Sequence, residues 1–137
     1  MPRAVARRRK GFTHDVTIDG RHTLVLDEPE ASGGANEGPS PTRTLAAALA
    51  GCTAITVEMY AGRKGWEVGQ LEVDVEMAYD EKGTPNHFEV VLKVPEPLDR
   101  EQQDRLLVIA GKCPVHRALA AQTEVVVKDR IESPLPA

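Results

Sequence analysis

The segment Ser40-Pro41-Thr42-Arg43-Thr44-Leu45-Ala46-Ala47-Ala48-Leu49-Ala50-Gly51-Cys52 opens a long helix, and the rest of the chain is read outward from it. Serine caps the free N–H groups at a helix start, and proline suits the first helical position, where its missing N–H costs nothing. The pattern predicts helix to about Gly62. Leu45, Leu49, Cys52, Thr56 and Met59 recur at steps of four, three, four and three, which places them on one face. Ala46, Ala47, Ala48 and Ala50 make much of the remaining circumference apolar and slim, as in a helix buried on most sides. Thr44 to Val57 carries no charge, but its 14 residues include three threonines. It is shorter than the roughly 18 apolar residues of a membrane span.

Both flanks of this helix read as strands. Upstream, Phe12, His14, Val16 and Ile18 alternate with more polar neighbours. Asp19-Gly20 then precedes His22 to Leu26, which is the signal for a hairpin turn. Residues 29–39 are rich in Pro, Gly, Ala, Ser, Asn and Glu and predict a mobile loop, a candidate lid. Downstream, Leu71, Val73, Val75, Met77 and Tyr79 alternate with Glu72, Asp74 and Glu76. After a turn region at Asp80 to Asn86, Phe88, Val90, Leu92 and Val94 repeat the pattern, predicting two half-buried antiparallel strands.

Asp99 followed by Gln102 predicts a capping box and a second helix with Leu106, Ile109, Ala110 and Cys113 on one face. Pro114 cannot continue that helix and suits the first turn of a third, from Pro114 to about Gln122. Val125 to Val127 predicts a last strand. The class is α+β. One domain is expected over residues 12–131, between a basic N-terminal tail at 1–11 and a short C-terminal tail at 132–137.

A length of 137 residues suits a single core, and 41% hydrophobic with 28% charged residues is the balance of a soluble globular chain. The basic N-terminus is followed by no apolar run, so it does not read as a secretory signal. The net charge is −4, but Arg3, Arg7, Arg8, Arg9 and Lys10 fall within the first ten residues. The remainder holds 12 bases against 21 acids and would repel a phosphate backbone. Nucleic acid and membrane are therefore not expected partners, and the basic cluster reads as a solvated tail. Two cysteines are too few for a disulfide scaffold, which points to a reducing, cytoplasmic setting.

The chemistry lies in the cysteines. Cys113 caps the third helix, where unpaired N–H groups favour thiolate, and Lys112 and Arg117 act in the same direction. Its thiol is expected to be acidic. Cys52 lies mid-helix on a buried face, where desolvation disfavours charge. It becomes reactive only if a cation or another helix terminus is brought to it. His116 reads as an exposed helix residue. Cys113 and His116 could supply two zinc ligands, but a structural site needs four, and His14, His22 and His87 are scattered. No metal and no bound cofactor are expected. There is no P-loop, no Gly-x-Gly-x-x-Gly and no Gly-x-Ser-x-Gly.

The stretch Gly38-Pro39-Ser40-Pro41 with Leu45 to Cys52 resembles the first cysteine motif of the OsmC/Ohr family. Cys113-Pro114-Val115-His116-Arg117-Ala118-Leu119 resembles its second. The resemblance covers roughly residues 12–131. It implies a two-layer α+β fold, with antiparallel sheets around a long buried Cys-bearing helix, assembled as an intertwined homodimer with active sites at the interface. It also implies a cysteine-based peroxidase that reduces organic hydroperoxides in oxidative-stress defence. Cys52 would be the peroxidatic thiol, oxidised to a sulfenic acid, and Cys113 the resolving thiol that closes a disulfide with it. A dithiol reductant of lipoyl type would restore the pair as co-substrate.

Family members activate the attacking thiol with an arginine from the N-terminal strand region. Arg9 is the candidate here and Arg8 the alternative. The peroxidase branch places a glutamate after the proline of the first motif to orient that arginine, whereas this chain has Thr42 there, followed by Arg43. Glu58, six residues after Cys52, falls on the opposite side of the helix and reads as a solvent or subunit contact. Leu49, Ile55 and Met59 are the candidate walls of an apolar substrate pocket. Retention of both cysteines favours the peroxidase. The missing glutamate favours an alternative, a non-catalytic dimer that binds a small apolar ligand at the same interface. A purely structural interaction protein would need neither cysteine motif.

Overall fold

The computed structural model of the chain describes residues 1–121 and 126–136. They form two compact units, residues 1–45 and the remainder from Ala46 onward.

The first unit is a meander of three antiparallel strands, β1 (Ala4–Lys10), β2 (Thr13–Ile18) and β3 (His22–Leu26), in that order. Asp19 and Gly20 both take positive φ, 52° and 66°, and Arg21 N–H donates to Ile18 O at 3.0 Å, which closes the expected Asp-Gly turn. The basic segment is not a free tail. It pairs with β2 from Ala4↔Ile18 to Arg8↔His14, while its charged side chains stay exposed. Its run of arginines lacks the alternation that marks a strand, and backbone pairing supplies the order instead.

The loop after β3 is tied down at its base rather than free. Asp27 is 2% exposed, and its carboxylate accepts from Thr13 Oγ1 (2.7 Å) and from the backbone N–H groups of Glu28 (2.7 Å), Ala35 (3.4 Å) and Glu37 (3.1 Å). A short 3₁₀ turn at Glu30–Ser32 follows. Glycine is required at 34 and 38 because a Cβ would sit 1.9 Å from Glu28 O and 2.2 Å from Val25 O. A loop so laced to its own sheet is poorly suited to act as a lid.

Helix α1 spans Pro41–Lys64, two residues beyond the expected end, and Gly65 follows at φ 72°. Ser40 Oγ accepts from Arg43 N–H at 3.3 Å, the predicted cap. The buried stripe differs from the predicted face. It is Leu49, Thr53, Val57 and Ala61, spaced at four residues, whereas Cys52 and Thr56 are half-buried and Met59 is 62% exposed. By length and composition α1 could cross a membrane, a test that the core helix of a soluble protein also passes. Within this chain one flank of it is left open, at Ala47, Ala48, Gly51, Ile55 and Met59.

In the second unit, strands β4 (Glu72–Tyr79) and β5 (Pro85–Lys93) pair antiparallel as predicted, with Val75 opposite Val90 and Met77 opposite Phe88. Phe88, Val90, Leu92 and Val94 are at most 2% exposed. The turn between the strands is built by Asp80 Oδ1, which accepts from Lys82 and Thr84 N–H. Strand β6 (Val126–Glu132) pairs parallel with β5, so the sheet is mixed rather than antiparallel. A parallel return needs a long crossover, and helices α2 (Arg100–Ala110) and α3 (Pro114–Ala120) supply it and pack on β6. Val125 and Gln122, the expected strand start and helix end, lie outside the described residues. The α2 capping box forms as read: Gln102 N–H donates to Asp99 Oδ1 (2.7 Å) and Asp99 N–H to Gln102 Oε1 (3.0 Å). Arg105 of α2 donates to Tyr60 OH of α1 at 2.9 Å.

Candidate active site

The second unit brings the two cysteines together. Cys52, in the middle of α1, is half-buried, and Cys113, at the cap of α3, is fully buried and free. Cys52 is close enough to act on the Cys113 thiol, and neither cysteine is in a disulfide. Pro114 occupies the first position of α3, and His116 N–H donates to Cys113 Sγ at 3.4 Å.

The expected acidity of Cys113 is not what the surroundings produce. Burial pushes its thiol up, and the neighbouring Cys52 adds to the rise. The His116 N–H and the Thr53 hydroxyl act the other way but are outweighed. Lys112 and Arg117 are exposed and do not figure among the groups acting on this thiol. The single amide donated at the cap of a seven-residue helix does not compensate for losing water.

His116 is also not the exposed residue expected. Its side chain is 14% exposed, and Nε2 lies 3.1 Å from Asp129 Oδ2 on β6, itself 15% exposed. Burial raises the Asp129 carboxyl, and His116 opposes part of that rise. Among the described residues, His116 Nδ1, Asp129 Oδ1 and Thr53 Oγ1 are buried polar atoms without a hydrogen-bond partner. Thr53 and Asp129 were absent from the sequence reading. Each left a signal there. Thr53 is the polar member of an otherwise apolar four-residue spacing in α1, and Asp129 interrupts the apolar alternation Val127, Ile131 in β6.

Arg9 lies on β1 of the first unit, where Nε and Nη2 engage both carboxylate oxygens of Asp15 on β2. That pairing raises the guanidinium and holds the Asp15 carboxyl below the usual range. Arg8 Nε instead donates to Gly11 O at 2.8 Å. Of the three expected pocket residues, Leu49 is fully buried and belongs to the core, whereas Ile55 and Met59 are 58% and 62% exposed.

Residues 34–128 match the family model described as OsmC-like protein, which is well over half of the chain. The chain belongs to the OsmC-like family. Solved structures agree with this. A protein from Psychrobacter arcticus 273-4, provisionally assigned to the osmotic stress induced and detoxification response, superposes with a TM-score of 0.85 at 18% identity, covering 94% of each chain. An OsmC-like protein from Mycoplasma pneumoniae does so at 0.80 and 16% identity, covering 97% of this chain and 95% of its own. The organic hydroperoxide resistance protein OhrB of Bacillus subtilis is 26% identical with a TM-score of 0.67, covering 96% and 98%. No curated protein matches the chain by sequence.

Within this family fold, the position expected to carry the arginine-orienting glutamate is Thr42, whose hydroxyl lies 3.4 Å from that of Ser40 at the start of α1. The carboxylate that holds Arg9 here comes from the adjacent strand instead.

Proposed function

We propose that the protein is a thiol-dependent organic hydroperoxide reductase of the cytoplasm that works as a homodimer. The observation that carries this reading is the meeting of an accessible thiol, Cys52, with a buried one, Cys113, at the start of α3. The accessible sulfur is the one a peroxide can reach. Cys52 thiolate attacks the terminal peroxide oxygen, the O–O bond breaks, an alcohol leaves, and Cys52 becomes a sulfenic acid. Cys113 then attacks the Cys52 sulfur, the S–OH bond breaks, and water leaves as the disulfide closes. A dithiol of lipoyl type reduces that disulfide by two successive exchanges and is itself oxidised to a cyclic disulfide.

Arg9, oriented by Asp15 in place of the family glutamate, is the cation that the family resemblance offers for the attacking thiol. The open flank of α1, with Ile55 and Met59 exposed, is the surface that a second subunit and an apolar substrate would cover. The test is hydroperoxide consumption with dihydrolipoamide, comparing the native chain with Cys52→Ser and Cys113→Ser. Turnover that Cys52→Ser abolishes supports the reading. A native protein no faster than either variant overturns it and leaves ligand binding at the same surface as the reading to pursue.

A further inference from the structure

Helix α3 carries Cys113 at its cap, yet none of its own seven residues is fully buried. Val115, His116 and Leu119 are partly buried, and the other four are exposed. A helix this short does not hold itself together and takes its place from what it packs on. Apolar burial draws it in but is non-directional. Among the described residues, the polar side-chain contact that joins α3 to the sheet is that of His116 Nε2 with Asp129 Oδ2 on β6, at 3.1 Å, with the side chains 14% and 15% exposed. The main chain of the same histidine faces the thiol, because its N–H donates to Cys113 Sγ at 3.4 Å. His116 therefore stands between the sulfur and the sheet, with its amide on one and its imidazole on the other.

We propose that His116 and Asp129 are positioning residues for Cys113: their contact fixes the first turn of α3 on β6 and so holds the sulfur in line for bonding to Cys52. The proposal rests on the reading in which these two cysteines close a disulfide. The imidazole acts through the backbone of its own turn and takes no proton from the thiol.

The pair is poorly built for stability. His116 Nδ1 and Asp129 Oδ1 are buried without partners, and burial pushes the Asp129 carboxyl up against the opposing pull of His116. Apolar residues of similar volume commonly match or exceed the stability of such a pair. What the pair supplies is direction. A ring nitrogen and a carboxylate oxygen meet within narrow limits of distance and angle, whereas two apolar side chains can repack. Direction matters at this place because a sulfur–sulfur bond forms only over a narrow range of separations and torsions. A turn free to shift lowers the effective concentration of one thiol at the other, with no change in either thiol's exposure to reagent.

The experiment equilibrates the full chain at pH 7 with mixtures of reduced and oxidised dithiothreitol, quenches by alkylation and reads the fraction of Cys52–Cys113 disulfide by mass. In the exchange the two cysteine thiols give up two electrons and two protons to oxidised dithiothreitol, which becomes the dithiol. The principal variant carries His116→Leu and Asp129→Leu together. It is expected to melt no lower than the native protein. It should nonetheless favour the disulfide about 10-fold less, which is about 30 mV for a two-electron couple. His116→Gln puts a side-chain N–H near the place of Nε2 and is expected to stay within about twofold of native. In the native protein, ¹⁵N-labelled imidazole should show a slowly exchanging proton on Nε2 of His116, a readout that needs no variant to fold. A double-leucine protein with the native exchange constant overturns the proposal. So does His116→Gln impaired as much as the double variant, or an Nε2 without a protected proton. A native protein that forms the disulfide and shows the expected shift, but consumes no hydroperoxide, overturns the peroxidase reading and leaves the positioning role standing. One that consumes hydroperoxide while native and double-leucine constants agree overturns the positioning role alone.

Discussion

Thr53→Val should make the protein more stable and its disulfide slower to close. Thr53 is 1% exposed, and Oγ1 makes no hydrogen bond in the resting protein. A buried hydroxyl left without a partner costs about 1–3 kcal/mol. Valine keeps the β-branched shape and nearly the volume, so rotamer entropy and helix propensity change little. The added methyl contributes up to about 0.8 kcal/mol on burial. Even the low end gives a gain of about 1 kcal/mol, which for a chain of this length raises Tm by about 3–5 °C.

The same hydroxyl favours the Cys113 thiolate, so closure should slow as stability rises. Thermal melting at fixed protein concentration measures the first effect, and the second is measured by treating Cys52 with Ellman's reagent and following the thionitrobenzoate that Cys113 displaces from it. Thr53→Ser is the control. It keeps the hydroxyl and should lose about 1 kcal/mol of stability while closing at the native rate. A Thr53→Val protein that is less stable than the native one by 1 kcal/mol or more would refute the reasoning. The hydroxyl would then already be bonded in the resting state rather than held for the charged one.

Three further outcomes are expected. Leu49→Ala, at a fully buried position of α1, should cost about 2–5 kcal/mol in urea unfolding, with the loss carried by the core and not by substrate affinity. Asp27 is held down to about 2, mainly by Thr13 and by the backbone N–H groups of Glu28, Glu37 and Ala35. Its folded pKa lies below its unfolded one, so its contribution is complete above about pH 4 and is lost as the pH falls towards 2. Protease sensitivity of the 28–39 loop should rise across that window, and Asp27→Asn should make the loop sensitive at neutral pH as well. Gly34→Ala would place a Cβ 1.9 Å from Glu28 O, so the same loop should open to proteolysis, whereas Gly51→Ala, which meets nothing within 4 Å, should not.

Local chemistry was legible in the chain. Ser40-Pro41, Asp19-Gly20 and the Asp99–Gln102 box are contacts between near neighbours, and each formed as read. The alternation in β4 and β5 marked them as a half-buried antiparallel pair, and a slip of one residue would turn Val73, Val75, Phe88, Val90 and Leu92 to the other face. The two cysteine motifs pointed to the family.

Long-range balances were decided by tertiary structure alone. Spacing suggested a buried face through Cys52 and Met59, but packing selected Leu49, Thr53, Val57 and Ala61, because a helix apolar on nearly all sides does not say which side is covered. The direction of β6 depended on a crossover that no local pattern encodes. The acidity of Cys113 turned on burial, a property of everything around it, and burial outweighed the cap that sequence could see. His116 became a buried partner of Asp129 only because α3 lies against β6. Near-neighbour hydrogen bonds and periodicity are written along the chain, whereas desolvation and the meeting of distant polar groups exist only once the chain has closed on itself.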